Sequence, residues 1–386
     1  MNSATPPTPL YGRSAISDLV PSVLSGLGVS GFANPLRIEP LQRACILLID
    51  GLGWELVRAH PEEAPFLNSL QAEAGPLTAG FPASTSVSLS SIGTGMTPGE
   101  HGIVGYTMAV PGQPRAMNVL RWSLHGPGGG NLIDAVVPED LQPQPTAFER
   151  ARDQGIEVSL VGPVQLMHTG MTRAVFRGGR YRPAFSLGDL AQESVAALRS
   201  GNRSFVYSYN PELDATGHVR GVDSEGWRLQ LGHVDRLAAE ISSRLPPDSA
   251  LIVTGDHGMV DLKAAERIDT ADRPELRSGV RFLGGEPRAR HVYTRPGAER
   301  EVLAAWRSTL GDRMWIVTRE EAIAGGWFGP VVSDRFRSRI GDVVAAAFGA
   351  VGVVERDVAS IEAQLIGHHG SMTAEEQLVP FLMVRR

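Results

Sequence analysis

Cysteine is almost absent from this 386-residue chain. The single thiol, Cys45, lies in the apolar run ACILLI, so no intramolecular disulfide can form and a buried core thiol is expected. The sequence also lacks any run of about 18 apolar residues, and its Pro/Ser/Thr-rich N-terminal segment has no apolar signal core. These absences predict a cytoplasmic protein that does not enter a membrane.

Long runs of Lys and Arg are missing as well, and the formal net charge is −6. A protein that holds a nucleic-acid polymer by counterion release needs a concentrated positive surface, so a polymer partner is not expected. A small phosphorylated ligand stays compatible with this composition, because one local positive site suffices. With 42% hydrophobic and 20% charged residues, the chain can bury a sizeable core.

Five short apolar runs recur along the chain, and helical patterns separate them. The runs are CILLID (45–50), IEVSLVGP (156–163), SFVYSYN (204–210), ALIVTGDHG (250–258) and VPFLMV (379–384). The helical patterns are at 14–27, 65–74, 146–154 and 231–245. This alternation predicts an α/β sheet with buried strands. Residues 107–144 and 262–345 are less regular, and we expect them to form a cap or inserts within one domain of residues 1–386.

Acidic and imidazole side chains follow the predicted strands. They are Asp50 after CILLI, Asp214 and His218 after SFVYSYN, Asp256 and His257 after ALIVTG, and His368 and His369 before the last run. In open α/β sheets ligands bind beyond the carboxyl ends of the strands, so these side chains are expected to converge. Three carboxylates and at least three imidazoles at one edge would repel and desolvate one another without cations. The mixed oxygen and nitrogen donors suit Zn²⁺ or Mn²⁺, and there are enough of them for two ions.

A hydroxyl-rich stretch, FPASTSVSLSSIGTGMTPGEHGIVGY at 81–106, carries too much apolar surface for a flexible linker. A helix is predicted to begin near Ser86, which places Ser84, Thr85 and Ser86 at an N-terminus that favours an anion. A hydroxyl at this position can simply cap the helix. Beside a metal ion, the same hydroxyl can become a nucleophile facing a bound phosphate.

Several motifs together resemble the nucleotide pyrophosphatase/phosphodiesterase branch of the alkaline phosphatase superfamily. The motifs are DGLGWE (50–55), FPASTSVSLSSIGTGMTPGEHGI (81–103), DATGH (214–218), TGDHGM (254–259) and GHHG (367–370). They occur in the family's order and span most of the chain. The resemblance implies an alkaline-phosphatase-like fold, in which helices flank a mostly parallel sheet that carries a small cap.

The resemblance also implies roles for individual residues. One metal ion would be surrounded by Asp50, Thr85, Asp256 and His257, and the other by Asp214, His218 and His369. Thr85 would be the nucleophile of a phosphodiesterase or nucleotide pyrophosphatase that acts through a phosphothreonine intermediate. Ser88 stands where members of the family commonly carry a phosphate-binding Asn, so a substrate-binding role is expected there.

Three other functions remain open. A phosphomonoesterase or a phosphonate hydrolase could use the same sheet, and Arg121, Arg288 and Arg290 are candidate partners for the extra charge of a monoester. A sulfatase is disfavoured, because the segment 85–89 lacks the C/S-x-P-x-R pattern. A non-catalytic metal-binding protein would not need the hydroxyl of Thr85.

The expected ligand is a small phosphorylated molecule, with nucleotides among the candidates. Five aromatic residues in or near the irregular stretches could stack on a base or could pack the cap instead. They are Tyr106, Trp122, Trp315, Trp327 and Phe328. The sequence leaves this choice open.

Overall fold

A computed structural model describes residues 6–70 and 75–386 of the protein. Its central sheet has six strands, numbered here in chain order. In spatial order they are β19 (Leu382–Arg385), β9 (Ser249–Thr254), β1 (Arg43–Ile49), β8 (Ser204–Asn210), β6 (Glu157–Pro163) and β7 (Arg180–Ala184). All neighbours pair in parallel except β19, which runs antiparallel to β9. The fold is α/β with a mostly parallel sheet, which confirms the predicted class.

Two core clusters lie on opposite faces of this sheet, because successive side chains of a strand point to opposite sides. Along β1, Ala44, Ile46 and Leu48 enter one cluster, whereas Cys45, Leu47 and Ile49 enter the other. Cys45 is a buried free thiol, as expected.

Helices cover both faces of the sheet. Those of more than one turn are α1 (Ile16–Gly26), α2 (Trp54–Ala59), α3 (Pro65–Ser69), α4 (Thr85–Thr94), α7 (Ala147–Arg152), α8 (Gly170–Val175), α9 (Leu187–Leu198), α10 (Glu212–Arg220), α11 (Glu225–Ser243), α13 (Glu299–Leu310) and α14 (Arg319–Ala324). Single-turn helices are α5 (Pro98–His101), α6 (Pro138–Leu141), α12 (Pro274–Arg277), α15 (Asp334–Arg337) and α16 (Ala374–Gln377). In α11, the buried stripe includes Leu231, Val234, Leu237 and Ile241, at the predicted helical spacing.

The two irregular stretches carry small sheets of their own. Within 107–144, a three-stranded sheet consists of β3 (Thr107–Met108), β4 (Met117–Asn118) and β5 (Ser123–Leu124). A four-stranded antiparallel sheet spans most of the second stretch, with the order β12 (Val280–Glu286), β13 (Ala289–Thr294), β15 (Val343–Ala347) and β14 (Met314–Thr318). Short pairs are formed by β2 (Leu77–Thr78) with β18 (Leu378–Val379), β10 (Val260–Asp261) with β17 (Gly367–His368), and β11 (Arg267–Asp269) with β16 (Gly352–Val354).

Some boundaries differ from the sequence prediction. The helix expected over 65–74 ends at Ser69 in α3, and residues 71–74 lie outside the described residues. The last apolar run divides into β18 and β19 around Pro380, which has no N–H group to donate to a neighbouring strand. None of the helices formed by residues 6–70 and 75–386 has the length and apolar character needed to cross a membrane.

Candidate active site

The strand-end residues meet at the carboxyl edge of β1, β8 and β9. The backbone joins two of their loops directly, since the Asp50 N–H donates to the Asn210 carbonyl (2.9 Å) and the Asp214 N–H donates to the Asp50 carbonyl (3.1 Å). Gly51 between them has a φ of 74°, and a Cβ there would lie 3.0 Å from the Asp214 Cα. Glycine is therefore required for Asp50 and Asp214 to approach this closely.

A first cluster of donor atoms comprises Asp50, Asp256 and His257, whose ligand atoms lie within 4.8 Å of one another. The Nε2 of His257 lies 3.4 Å from Asp50 Oδ1 and 3.5 Å from Asp256 Oδ2. Asp256 Oδ1 accepts the N–H groups of Gly51 and His257, but its buried Oδ2 has no hydrogen-bond partner. Burial, together with the charges of Asp256 and Asp214, raises the pKa of Asp50 well above its ordinary value.

A second cluster comprises Asp214, His257 and His369, so His257 belongs to both. The His257 and His369 rings stack with centroids 3.6 Å apart, and His369 Nε2 lies 3.9 Å from Asp214 Oδ1. His218 Nε2 lies 3.3 Å from Asp214 Oδ2, although His218 falls outside both groups of three among the described residues. Burial acts to lower the pKa of His218, but the neighbouring Asp214 carboxylate outweighs it and raises this pKa to about 9. Asp214 Oδ1 is buried and has no hydrogen-bond partner among residues 6–70 and 75–386.

The three histidines are held in one orientation by backbone carbonyls. The Nδ1 atoms of His218, His257 and His369 lie 2.8, 2.9 and 2.8 Å from the carbonyls of Gly367, Gly258 and Ala83. A proton on each Nδ1 satisfies these carbonyls and directs each Nε2 toward the carboxylates. His218, whose pKa is about 9, would release its Nε2 proton on binding a cation. Unprotonated imidazole nitrogens beside unpartnered carboxylate oxygens are a donor set that fits divalent cations.

Thr85 is the first residue of α4 and lies beside the first cluster. Its Oγ1 is 3.1 Å from His257 Nε2 and 3.4 Å from Asp50 Oδ1. Ser84 precedes the helix, but its side chain makes no capping hydrogen bond. Within the described part of the chain, the N–H groups of Thr85 and Ser86 have no acceptor. The helix therefore begins one residue before the predicted Ser86, and its free N–H groups adjoin the hydroxyl of Thr85.

Ser88 and His368 occupy different surroundings. The fully buried Ser88 hydroxyl donates to the Asp256 carbonyl (2.7 Å), so it holds the loop that carries the first cluster. Ser88 is not among the residues that line the two cavities described below, and its substrate-binding role stays a prediction. His368 Nε2 lies 3.1 Å from the Leu365 carbonyl, and His368 belongs to neither cluster.

Two cavities open on Thr85. The larger, of about 510 Å³, has a polar wall that includes Tyr106, Asn118, Arg121 and Glu286. The smaller, of about 260 Å³, is mainly apolar and is lined by Leu160, Met171, Phe176, Tyr207 and Tyr209 among others. Thr85, Leu120, Asp214 and Ala215 line both cavities, so the cavities meet at the hydroxyl.

Most of the aromatic and arginine candidates lie away from these cavities. Trp122, Trp327 and Phe328 are buried in the core, whereas Tyr106 lines the larger cavity. The half-buried Trp315 packs against Phe348. Arg288 pairs with Glu376 and Arg290 pairs with Glu362, which leaves Arg121 as the cavity-lining member of the three arginines considered.

Two residues of the site were missed by sequence reasoning. Tyr209 donates a short hydrogen bond to Asp50 Oδ2, and Glu286 at the end of β12 places Oε2 3.4 Å from His369 Nδ1. Burial raises the pKa of Glu286 well above its ordinary value, against the opposing effect of a hydrogen bond with Ser84. The alternation of β8 puts Tyr207 and Tyr209 on one face and could have indicated Tyr209. No spacing in the sequence connects Glu286 with His369.

The family model for type I phosphodiesterase / nucleotide pyrophosphatase matches residues 44–372. The match covers five of the six central strands, β1 from Ala44 and all of β6 to β9, together with both donor clusters and Thr85. This chain belongs to that family.

Individual relatives agree with this assignment at the level of the fold. The solved structure of murine ectonucleotide pyrophosphatase/phosphodiesterase 5 superposes with a TM-score of 0.66 at 19% identity, covering 89% of this chain and 88% of that one. Phosphonoacetate hydrolase from Sinorhizobium meliloti 1021, in complex with phosphonoacetate, gives 0.65 at 19% identity, with 90% and 91% covered.

A shorter similarity links the chain to phosphopentomutases. The enzyme of Shewanella frigidimarina is 30% identical over 133 residues, which is 33% of this chain and 30% of the relative. That of Rhizobium meliloti is 29% identical over 132 residues, with the same shares covered. The chain thus spans about a third of the length of these relatives.

Proposed function

We propose that this protein hydrolyses a phosphodiester by a two-step displacement in which Thr85 is the nucleophile. The observation that carries the proposal is the position of the Thr85 hydroxyl. It lies at the start of a ten-residue helix, touches Asp50 and His257 of the first cluster, and faces two cavities. A threonine that only capped the helix would not need these neighbours.

The two clusters are proposed to hold two divalent ions, with zinc as the first choice and manganese as the second. One ion would be held by Asp50, Asp256 and His257 with Thr85, and the other by Asp214, His218 and His369. When bound, such ions would lower the pKa of the Thr85 hydroxyl and offset the charge of the phosphoryl group. The unpartnered oxygens Asp214 Oδ1 and Asp256 Oδ2 support this assignment, since buried polar atoms rarely stay without a partner.

The protein's own groups account for the bond changes. In the first step the Thr85 oxygen bonds to phosphorus, the bond to the leaving group breaks, and the departing alcohol takes up the proton. In the second step a water oxygen bonds to phosphorus, the bond to Thr85 breaks, and a proton returns to the threonine. The free N–H groups of Thr85 and Ser86 are positioned to donate to a phosphoryl oxygen in both steps.

The presence of two cavities favours a diester over a monoester. A diester carries two substituents on phosphorus, and two cavities of different polarity diverge from Thr85. A monoester or a phosphonate would fill only one of them. The aromatic wall of the smaller cavity suits a flat apolar group, and an inactive form of the murine relative has been solved with AMP, so a nucleotide is a reasonable first substrate to test.

The experiment measures hydrolysis of bis(4-nitrophenyl) phosphate, 4-nitrophenyl phosphate and phosphonoacetate by zinc-loaded protein. We expect the diester to be hydrolysed most efficiently. Thr85→Ala should eliminate turnover without loss of fold, whereas Thr85→Ser should retain part of it because the hydroxyl survives. Ser84→Ala and Ser86→Ala are matched controls on the same turn and should lower stability by about 1 kcal/mol at most. A Thr85→Ala variant with near-parental turnover would overturn the proposal.

A further inference from the structure

A third cavity, which we call the arginine cavity, lies beside the larger of the two cavities at Thr85, and we call that larger cavity the active-site cavity. The arginine cavity has a volume of about 360 Å³, and four arginines line it: Arg115, Arg277, Arg281 and Arg295. Its other walls come from β12 and from the segment that follows β16. No motif in the sequence marks this site, and the proposed hydrolysis at Thr85 does not use it.

Two of these guanidinium groups have no acidic partner. In the described part of the chain, no carboxylate lies within 4.0 Å of Arg281 or Arg295, and the Arg281 guanidinium instead lies 4.5 Å from the Phe282 ring centroid. Arg115 donates to the Pro127 carbonyl, which carries no net charge. Arg277 lies 3.5 Å from Asp357, and both side chains are about half exposed, so this pair neutralises little of the local charge.

The cavity is therefore locally positive in a chain whose net charge is −6. A concave surface lined by charges of one sign focuses the electrostatic field and attracts counter-ions. The acidic residue on its wall is the half-buried Glu355, so one carboxylate faces four guanidinium groups. Guanidinium groups match phosphate and carboxylate oxygens in a bidentate geometry, so the lining is suited to an anion.

An independent observation comes from Thr270, which also lines the arginine cavity. This residue is 1% exposed, and its Oγ1 is among the buried atoms without a hydrogen-bond partner in the described part of the chain. Most buried hydroxyls are satisfied, so an orphan hydroxyl on a cavity wall indicates a ligand that accepts its proton. An anion oxygen is such an acceptor.

The arginine cavity and the active-site cavity are neighbours, because His125 and Val358 line both. Gly126 packs into the wall between them: a Cβ at this residue would lie 2.9 Å from Val358 and 3.2 Å from the Arg115 guanidinium. Burial lowers the pKa of His125, so a neutral imidazole stands at the shared wall. The arginine cavity therefore adjoins the cavity that contains Thr85, with His125 and Val358 at the boundary.

We propose that the arginine cavity binds a phosphate or carboxylate group of a small molecule, and that this group is the distal end of the substrate whose phosphodiester lies at Thr85. The site distinguishes substrates that carry a second anionic group from those that do not. The substrate part of this inference rests on the proposed function, whereas the anion-binding part does not.

The first arm of the test compares two chromogenic diesters that differ by one phosphate. They are thymidine 5′-(4-nitrophenyl phosphate) and its 3′-phosphorylated derivative. In the Arg281→Gln/Arg295→Gln variant, the ratio of the KM for the 3′-phosphorylated ester to the KM for the other ester should rise about tenfold, with little change in kcat. Arg236→Gln, at an exposed arginine on α11 that lines none of these cavities, is the matched control and should leave the ratio unchanged.

The second arm needs no turnover and uses equilibrium dialysis of labelled inorganic phosphate at low salt. We expect the Arg281→Gln/Arg295→Gln variant to bind one phosphate fewer per chain than the parent and the Arg236→Gln control. Loss of this phosphate with an unchanged KM ratio would assign the cavity to a separate phosphorylated ligand and overturn the substrate part. Equal phosphate binding together with an equal KM ratio would overturn the whole inference. A protein without any phosphodiesterase activity would contradict the proposed function but leave this second arm decisive.

Discussion

Buried carboxylates are paired with an arginine in one region of the molecule and have no cationic side chain beside them in another described region. Beside the four-stranded sheet, Arg288 (2% exposed) and Glu376 (fully buried) form an ion pair, and Ser371 N–H and Thr373 hydroxyl groups complete the Glu376 carboxylate. At the edge of the central sheet, Asp50 and Asp256 are equally buried, but within the described residues no Lys or Arg lies within 4.0 Å of either.

This contrast separates a structural role from a functional one. A buried ion pair with all its hydrogen bonds made is complete within the folded chain. The buried carboxylates of Asp50 and Asp256 accept hydrogen bonds from uncharged donors but have no cationic side chain beside them, and a bound cation would remove their repulsion. The region that lacks its own counter-charges is therefore the region that we assign to metal binding.

The largest expected effect distinguishes His369 from His368 as the residue that contributes to the donor clusters. His369→Ala should lower kcat/KM for a diester by about a thousandfold or more and reduce the metal content, because His369 stacks on His257 and faces Asp214. His368→Ala is the adjacent control and should be mild, since His368 lines the larger cavity but belongs to neither donor cluster of the described residues, and its Nε2 lies 3.1 Å from the Leu365 carbonyl. Kinetics and elemental analysis of both variants decide this point. Reversed effects would show that the ligand assignment at 367–370 is wrong.

A second experiment removes one partner of the buried ion pair between Arg288 and Glu376. Arg288→Met leaves the Glu376 carboxylate buried without a cation and should cost about 3–5 kcal/mol of unfolding free energy. The double variant Arg288→Met/Glu376→Gln should recover part of this loss, because the uncompensated charge is gone. Urea unfolding of metal-loaded and metal-free protein measures both. A loss that appears only in the loaded protein would mean that the ion pair acts through the metal site.

A third experiment measures how much added zinc stabilises the parent and variants of the two regions. Zinc at a free concentration a hundredfold above its Kd should raise the unfolding free energy by about 2.7 kcal/mol for each site that it fills. Asp50→Asn should shrink this increment, since one carboxylate of the first cluster is lost, whereas Arg288→Met should keep it in full. Urea unfolding with and without zinc provides the measurement. An equal increment in Asp50→Asn and the parent would remove Asp50 from the ligand set.

The smallest expected effect concerns two tyrosines on one face of β8. Tyr209→Phe removes the hydrogen bond to Asp50 and should weaken metal retention by about 1 kcal/mol, seen as faster loss of zinc to a chelator. Tyr207→Phe is the matched control, because the buried Tyr207 hydroxyl has no hydrogen-bond partner, and its removal should leave retention unchanged. If both variants release zinc at the parental rate, the Tyr209 contact does not orient Asp50.

Five of the six central strands, and the edge where the site lies, could be predicted from local patterns. The edge strand β7 matches no predicted run, because its sequence RYRPA is mostly polar and half-exposed. Asp50, Asp214 and Asp256 directly follow or closely trail buried strands, and parallel strands bring their carboxyl ends to one edge. The position of the Thr85 hydroxyl at a helix start could also be predicted, because its stretch combines hydroxyls with a helical apolar pattern. These features depend on residues near one another in sequence or on a general rule of sheet topology.

The walls of the cavities could not be predicted, because they depend on packing between distant segments. Glu286 reaches His369 only through the pairing of β12 with β13, and Glu362 reaches the larger cavity through a turn that no periodic pattern marks. The ion-pair partners of Arg288 and Arg290 could not be predicted for the same reason. Their alternation in β13 shows that they share a face, but not that each meets a glutamate from residues 362–376.

The most direct test of the account is to trap the covalent intermediate. Zinc-loaded protein is mixed with bis(4-nitrophenyl) phosphate, quenched in acid within milliseconds, and digested for mass spectrometry. We expect a 4-nitrophenyl phosphate ester on the Thr85 oxygen, which appears with the first equivalent of 4-nitrophenol and is absent from Thr85→Ala. An adduct on Ser84 or Ser86, or a burst of 4-nitrophenol from Thr85→Ala, would contradict the assignment of Thr85 as the nucleophile.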